Sequence, residues 1–312
     1  MNPVFSVIIP IYNVEAYLRD CLDCLTSQSF KSFEVLLIND GSSDNSEVIC
    51  NEYTEKDARF SLTTTRNQGQ GAARNIGLSL AEGQYIYFYD SDDKLATNTL
   101  EKLNEIHQKH AVDIVMFDGD VFGESSSNNF TYTRAANHGE VELSKYIDLS
   151  LLEQTFTPSP CLYSFRKDAV ADLRFIEGII YEDLAFYVNL TLDNKLSFYV
   201  LNEVLFHRRV RLNSTMTTAI QEKNALAAIK VFEHISEGKM SKTKLLFLQL
   251  YYNNVVSFVA LAFKGVTPFK YRMVLAKYFL FLTRHGKFSV KGLLATIIPE
   301  LKKVTKKSHK KT

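Results

Sequence analysis

The chain has 312 residues, 46% hydrophobic and 23% charged, with a net charge of +1. That is enough for a sizeable core in one large or two smaller domains. The charge balance excludes a general attraction to nucleic acid. Residues 1–11 lack a basic leader, and Pro10 interrupts the first apolar run, so no signal peptide is expected.

"FSVIIPIYN", residues 5–13, reads as a buried strand feeding a loop, followed by a helix from about Val14 to Ser27. "FEVLLIND", residues 33–40, is a second strand, and Ser43 or Asp44 is expected to cap a helix over 45–56. "FSLTTT", 60–65, is a third strand. "GAARNIGLSLAEG", 71–83, is a helix expected to close at Gly83. "QYIYFYD", 84–90, "ATNTLEKLNEIHQKH", 96–110, and "VDIVMFDGDVF", 112–122, continue the alternation as strand, helix and strand. Residues 124–139 are polar and turn-rich, a mixed region runs to about 215, and the pattern is helical from Gln221.

This alternation predicts an α/β fold with a mostly parallel sheet flanked by helices. The boundaries are a domain over 1–216, with halves 1–120 and 121–216, and a C-terminal helical region over 217–312. The apolar stretch 245–263 is broken by Gln249, Asn253 and Asn254, so a buried or amphipathic helix is expected rather than a span. The end, 302–312, carries six lysines and no acid. It reads as a solvated tail, with contact to an anionic membrane surface as the other reading. Cys21 and Cys24 fall inside a helical pattern, which favours packing over redox or zinc chemistry.

Ligands of such sheets bind outside the carboxyl ends of the strands, where Asn13, Asp40 and Asp90 fall. Asp90 and Asp92 in "YDSDD" have the spacing to converge on a hard divalent cation such as Mg²⁺. The alternative is an Asp-rich turn capping the next helix, a role open to Asp93. Asp40 reads as a ribose or base contact, or as a simple Asp-Gly turn. "NQGQGAARNIG" lacks the third glycine of a dinucleotide fingerprint, with Arg74 in its place, a cation for a diphosphate or a surface ion pair. Glu182 and Asp183 open a helical pattern, as helix-start acids or as a general base. His207, Arg208, Arg209 and Arg211 offer cations for a diphosphate, or a solvated basic strand.

Taken together, "SVIIPIYN…LLINDGSSDNS", "RNQGQGAARNIGLSLAEGQYIYFYDSDD" and "IIYEDLAFYVNLTL" resemble family 2 glycosyltransferases of the GT-A fold over about residues 4–216. The resemblance implies an inverting transfer from a nucleotide-diphosphate sugar, expected to be a UDP-sugar, to a glycan, lipid-linked or glycoprotein acceptor. It implies that Pro10, Tyr12 and Asp40 contact base and ribose, Arg74 the nucleotide or diphosphate, Asp90 with Ser91 the ribose or sugar, and that Asp92 ligates Mn²⁺ or Mg²⁺. Asp183 would be the base, Glu182 would shape the acceptor site, and His207 with Arg208 or Arg209 would close over the diphosphate. The chain departs from the family pattern at "PSPCLYSFRKD", where Pro160 and Cys161 replace Asn and Lys. The expected setting is cytoplasmic, peripheral at the inner face of the membrane, with no nucleic-acid partner and with homo-oligomerisation open. A sugar nucleotidyltransferase and a non-catalytic binding subunit are the competing readings.

Overall fold

A computed structural model describes residues 3–123, 131–133, 138–170, 172–192, 196–211, 220–263 and 267–285. The chain divides into two compact units, residues 1–214 and 215–312. The basic tail and most of the polar stretch 124–139 lie outside the described residues.

In the first unit, β1 (Phe5–Ile11), α1 (Glu15–Thr26), β2 (Phe33–Asn39), α2 (Ser46–Lys56), β3 (Phe60–Thr64), α3 (Gln70–Leu80) and β4 (Tyr85–Phe88) follow the predicted alternation. Then come β5 (Lys94–Leu95), α4 (Thr99–His110), β6 (Ile114–Phe122), β7 (Thr131–Tyr132), β8 (Gly139–Glu140) and α5 (Leu143–Leu152). β9 (Tyr163–Arg166), α6 (Glu182–Leu192) and β10 (Phe198–Arg209) complete the unit. One sheet orders the main strands β3-β2-β1-β4-β9-β6-β10-β5. The ladders among β1, β2, β3 and β4, and that between β6 and β10, are parallel. β9, which the sequence did not announce as a strand, runs antiparallel between β4 and β6.

The side-chain period of two divides the core. Phe5, Val7, Ile9 and Ile11 of β1 join one hydrophobic cluster with Val35 and Leu37, Tyr85 and Tyr87, and the helical residues Leu18, Leu22 and Leu103. Ile8, Leu36, Ile38, Ile86 and Phe88 point the other way, to a cluster holding Ala73, Ile147 and Phe186. Both faces are covered, so β1 reads as a continuous apolar run rather than an alternating one. Pro10 sits within β1 without loss. It lies past the last β1–β4 pair, Ile8↔Phe88, on the edge that would face β4, so its missing N–H leaves no ladder bond unmade.

Two local expectations are corrected. α3 ends at Leu80 with Ala81 extended, so Gly83 is not its cap. Gly83 is required by β1 instead: a Cβ there would stand 2.4 Å from the Ser6 backbone nitrogen. α2 begins after Asn45, and neither Ser43 nor Asp44 is its N-cap. The Asp44 carboxylate accepts from the N–H groups of Ser46 and of Glu15, at the start of α1.

The second unit contains, among its described residues, α7 (Glu222–Ser236), α8 (Lys242–Ala262) and α9 (Phe269–Arg284). α8 is long and apolar enough to cross a membrane by composition, but Phe247, Leu248, Tyr251, Tyr252, Val255, Val256, Val259 and Ala260 are buried within the protein. The Tyr252 hydroxyl donates to the Leu275 carbonyl of α9, and Phe232 of α7 stacks on Tyr278 of α9 at 4.2 Å.

Candidate active site

The carboxyl ends of β1, β2 and β4 lie side by side, as the parallel register requires. The loops beyond them are tied together. Asn13, in the left-handed region at φ 50°, accepts from the Ser43 N–H through Oδ1, while its own N–H donates to Ser42 Oγ. The buried Asp40 accepts from the N–H groups of Gln68 and Gly69, both at 2.8 Å. Each oxygen of Asp40 thus holds the loop that leads into α3. Pro10 is buried and Tyr12 is half exposed beside this framework.

The alternation along β4 carries Asp90 to the face of α3 and α6. There Gln70 and Arg74, one turn apart on α3, both reach Asp90 Oδ1: Gln70 Nε2 at 3.0 Å and Arg74 Nη2 at 2.9 Å. The other arm of Arg74, Nη1, donates to Glu182 Oε1 at 2.8 Å. Arg74 is 2% exposed, and its guanidinium lies 5.2 Å from the Phe175 ring. It is therefore neither a surface ion pair nor a free cation. Burial works against its charge, but Asp90 and Glu182 outweigh that and hold its pKa above the usual value. Its Nε is buried without a hydrogen-bond partner.

Gly71 lets α3 approach α6 this closely; a Cβ there would meet Ile176 O at 3.0 Å and Glu182 Cγ at 3.2 Å. Asn75, one turn on, accepts from the Phe175 N–H and donates to the Phe175 carbonyl and Glu177. These bonds fix the approach to α6. Directly before that helix, Tyr181 adopts φ 69°. For a bulky residue such a conformation costs on the order of 1–3 kcal/mol. Asp183 follows Glu182 in the first turn of α6 and accepts from the Leu184 N–H. Burial first, and then the charge of Glu182, push the Asp183 pKa up to about 7, with Arg74 pulling the other way.

Past Asp90 the chain turns. Ser91 is buried in that turn. Asp92 points to Arg211, whose Nε lies 2.8 Å from Oδ2 as an ion pair without hydrogen-bond alignment. Its pKa is raised by burial and by Asp90. Asp93 does not cap α4, whose N-cap is Asn98. It is buried and accepts from the Arg209 N–H at 2.7 Å, which pins the end of β10 to the acidic turn. Burial, Asp92 and Asp90 raise its pKa. Beneath the turn lies the buried Cys161. Its sulfur and carboxylate oxygens of Asp90 and Asp93 lie within 4.8 Å of one another. Burial and the two acids raise its thiol pKa. Cys21 and Cys24 are free thiols in α1.

The basic run divides its tasks. Arg209 donates to the Asp92 carbonyl and to Asp20, against the rings of Tyr17 and Phe122. Arg208 donates to the Tyr132 hydroxyl. His207 pairs with Asp120 at 2.6 Å. Gln70, Asp20, Asp120 and Tyr132 were not singled out in the sequence; Gln70 lies one turn before Arg74 on α3, and the other three lie in unrelated segments and are recognised only through their partners.

A cation fits the acidic turn. Carboxylate oxygens of Asp90 and Asp93 approach each other beside Cys161, Asp92 follows in the same turn against Arg211, and the Asp92 and Asp93 pKa values are raised; a divalent ion with oxygen ligands relieves that repulsion.

The family model for "Glycosyl transferase family 2" matches residues 6–174. The chain is 34% identical over 235 residues to the minor teichoic acid biosynthesis protein GgaB of Bacillus subtilis, covering 72% of this chain and 25% of that protein. It spans about a quarter of GgaB. It is 28% identical to the glycosyltransferase GlyG of Streptococcus pneumoniae, covering 82% and 87% of the two chains. An uncharacterized glycosyltransferase of Haemophilus influenzae is 33% identical, covering 82% of this chain and 98% of that one. Among solved structures, S. aureus TarS 1–349 in complex with UDP-GlcNAc superposes with a TM-score of 0.72 at 22% identity, covering 89% of this chain and 81% of that one. The fold and these similarities together make the chain a glycosyltransferase that belongs to glycosyl transferase family 2, with the GT-A architecture.

Proposed function

We propose that the chain transfers a sugar from a nucleotide-diphosphate sugar, with a UDP-sugar as donor, to a hydroxyl of a glycan, lipid-linked or glycoprotein acceptor, with inversion. The observation that carries this reading is the Arg74 bridge. It joins the acidic turn after β4 to the Glu182–Asp183 pair, so a donor-side group and a base share one corner. The TarS complex with UDP-GlcNAc, and a mannosyltransferase of Pyrobaculum calidifontis in complex with GDP-Man and Mn²⁺ (TM-score 0.58, 17% identity), support the donor class through the fold.

In this mechanism the acceptor oxygen attacks the anomeric carbon while Asp183 takes its proton. The bond from that carbon to the diphosphate oxygen breaks, and the electron pair leaves with the diphosphate on the opposite face. A base with a pKa of about 7 is matched to neutral pH and is worth about 10²–10⁴-fold. Arg74 holds the Glu182 carboxyl group in position beside it, on the acceptor side. Asp92, with Asp90 and Asp93, would hold Mn²⁺ or Mg²⁺, which when bound neutralises charge on the leaving diphosphate. Asp40 fixes the loop on which the nucleotide rests, with Pro10 and Tyr12 as its neighbours. Arg208 and His207 lie on β10 on the diphosphate side. The test is a screen of nucleotide sugars for Mn²⁺-dependent release of nucleoside diphosphate. No release from any donor, by a chain with native circular dichroism, sinks the reading.

A further inference from the structure

α9 carries an apolar stripe on the side facing away from its own core. Its buried residues, Tyr271, Leu275, Tyr278, Phe279 and Leu282, occupy one face. Phe269, Met273, Ala276 and Leu280 follow at i, i+4, i+7 and i+11, which at 3.6 residues per turn places them on the opposite face. Phe269 is 76%, Met273 55% and Leu280 57% exposed. A helix that packs one face on a core ordinarily turns charged and polar residues outward. Here the outward stripe is apolar and its borders are cationic. Lys270, Lys277 and Arg284 recur every seven residues along one border, and Arg272 lies along the other. The helix has no acidic residue. Lys270 meets Glu222 of α7 at 3.4 Å and stays largely in solvent; Lys277 and Arg284 are exposed.

The geometry points to α9 as an interfacial helix that lies on an anionic lipid surface. The apolar side chains enter the boundary between headgroups and acyl chains, and the flanking cations meet lipid phosphates. Charge complementarity selects this occupant: α9 offers Arg272, Lys277 and Arg284 besides the Lys270 that meets Glu222, and has no acid of its own, so it repels a like-charged second copy and attracts an anionic bilayer. The surface belongs to the second unit and does not depend on which sugar is transferred.

The test uses the full chain in flotation with vesicles of phosphatidylcholine, with or without phosphatidylglycerol. The chain floats with the anionic vesicles and not with phosphatidylcholine alone. Met273→Glu/Leu280→Glu abolishes flotation, and Lys277→Glu/Arg284→Glu lowers partitioning at least about 30-fold, while circular dichroism and release of nucleoside diphosphate from the donor stay native. Failure of the unmodified chain to float overturns the proposal. So does undiminished flotation of Met273→Glu/Leu280→Glu, which assigns the binding to the basic end at 302–312. A dimer that this variant dissociates, with no vesicle binding by the unmodified chain, assigns the face to a second copy and overturns it as well.

Discussion

Arg74 Nη1 donates to Glu182 Oε1 at 2.8 Å across 108 positions of sequence, with both side chains buried. With its second arm on Asp90, one guanidinium holds two segments that the chain supplies far apart. A planar fork can do this; a lysine ammonium has no such geometry. Arg74→Ala leaves the buried Glu182 and the partly buried Asp90 without their counter-charge. It is expected to cost about 3–5 kcal/mol of stability, read by urea denaturation. Arg74→Met combined with Glu182→Gln should cost less than the sum of the two single changes. Strict additivity would show that the pair is not coupled.

The Asp183 pKa of about 7 has two consequences of opposite sign. Turnover requires the carboxylate, so kcat should rise with pH through about 7 and then level. Stability moves the other way. The folded protein keeps a proton on Asp183 that the unfolded chain has already lost, so this group's contribution falls as pH rises from about 4 through about 7. Asp183→Asn should therefore lose about 10²–10⁴-fold in kcat and gain, not lose, thermal stability at neutral pH. A destabilised Asn variant, or a flat pH profile in the native enzyme, would contradict the assignment.

Asp92 is the test of the metal. Its carboxylate is paired with Arg211, and replacing it should weaken Mn²⁺-dependent donor binding by at least about tenfold while leaving the fold intact. Titration calorimetry of Asp92→Ala with UDP, with and without a chelator, reads this. Donor binding that ignores both the chelator and the substitution would remove the metal from the proposal.

Gly83→Ala tests the reassignment of this glycine from helix cap to close contact. The added carbon would lie 2.4 Å from Ser6 N and 2.7 Å from Ser6 Oγ, against backbone that pairs with both β2 and β4. A loss of about 1–3 kcal/mol is expected, measured by thermal unfolding. A helix-cap role would predict a smaller effect with α3 fraying, seen as faster amide exchange at its last turn.

The strands, the helices between them and the loops at the strand ends were legible because they rest on local patterns. β1, β2 and β4 announce themselves by β-branched and aromatic runs, and Asp40 and Asp90 by their place at the ends. What each side chain does there was not legible. Asp40 is recognisable as a strand-end acid, but the N–H groups it holds belong to Gln68 and Gly69. Asp93 looked like a helix cap because caps are local, whereas its partner, the Arg209 N–H, is 116 residues away. β9 was missed because four residues, "YSFR", carry too little periodicity to stand out; only the edges of β4 and β6 make them a strand.

That short strand also sets an order of events during synthesis. β4 ends at Phe88 and β6 at Phe122, yet they are joined through residues 163–166. A nascent chain can assemble β3-β2-β1-β4 as soon as those segments leave the ribosome, but it then presents β4 as an open edge until some eighty further residues have emerged. Such an edge recruits other strands. The chain is therefore most exposed to misassembly midway through translation, and slow codons before residue 163 would lengthen that window.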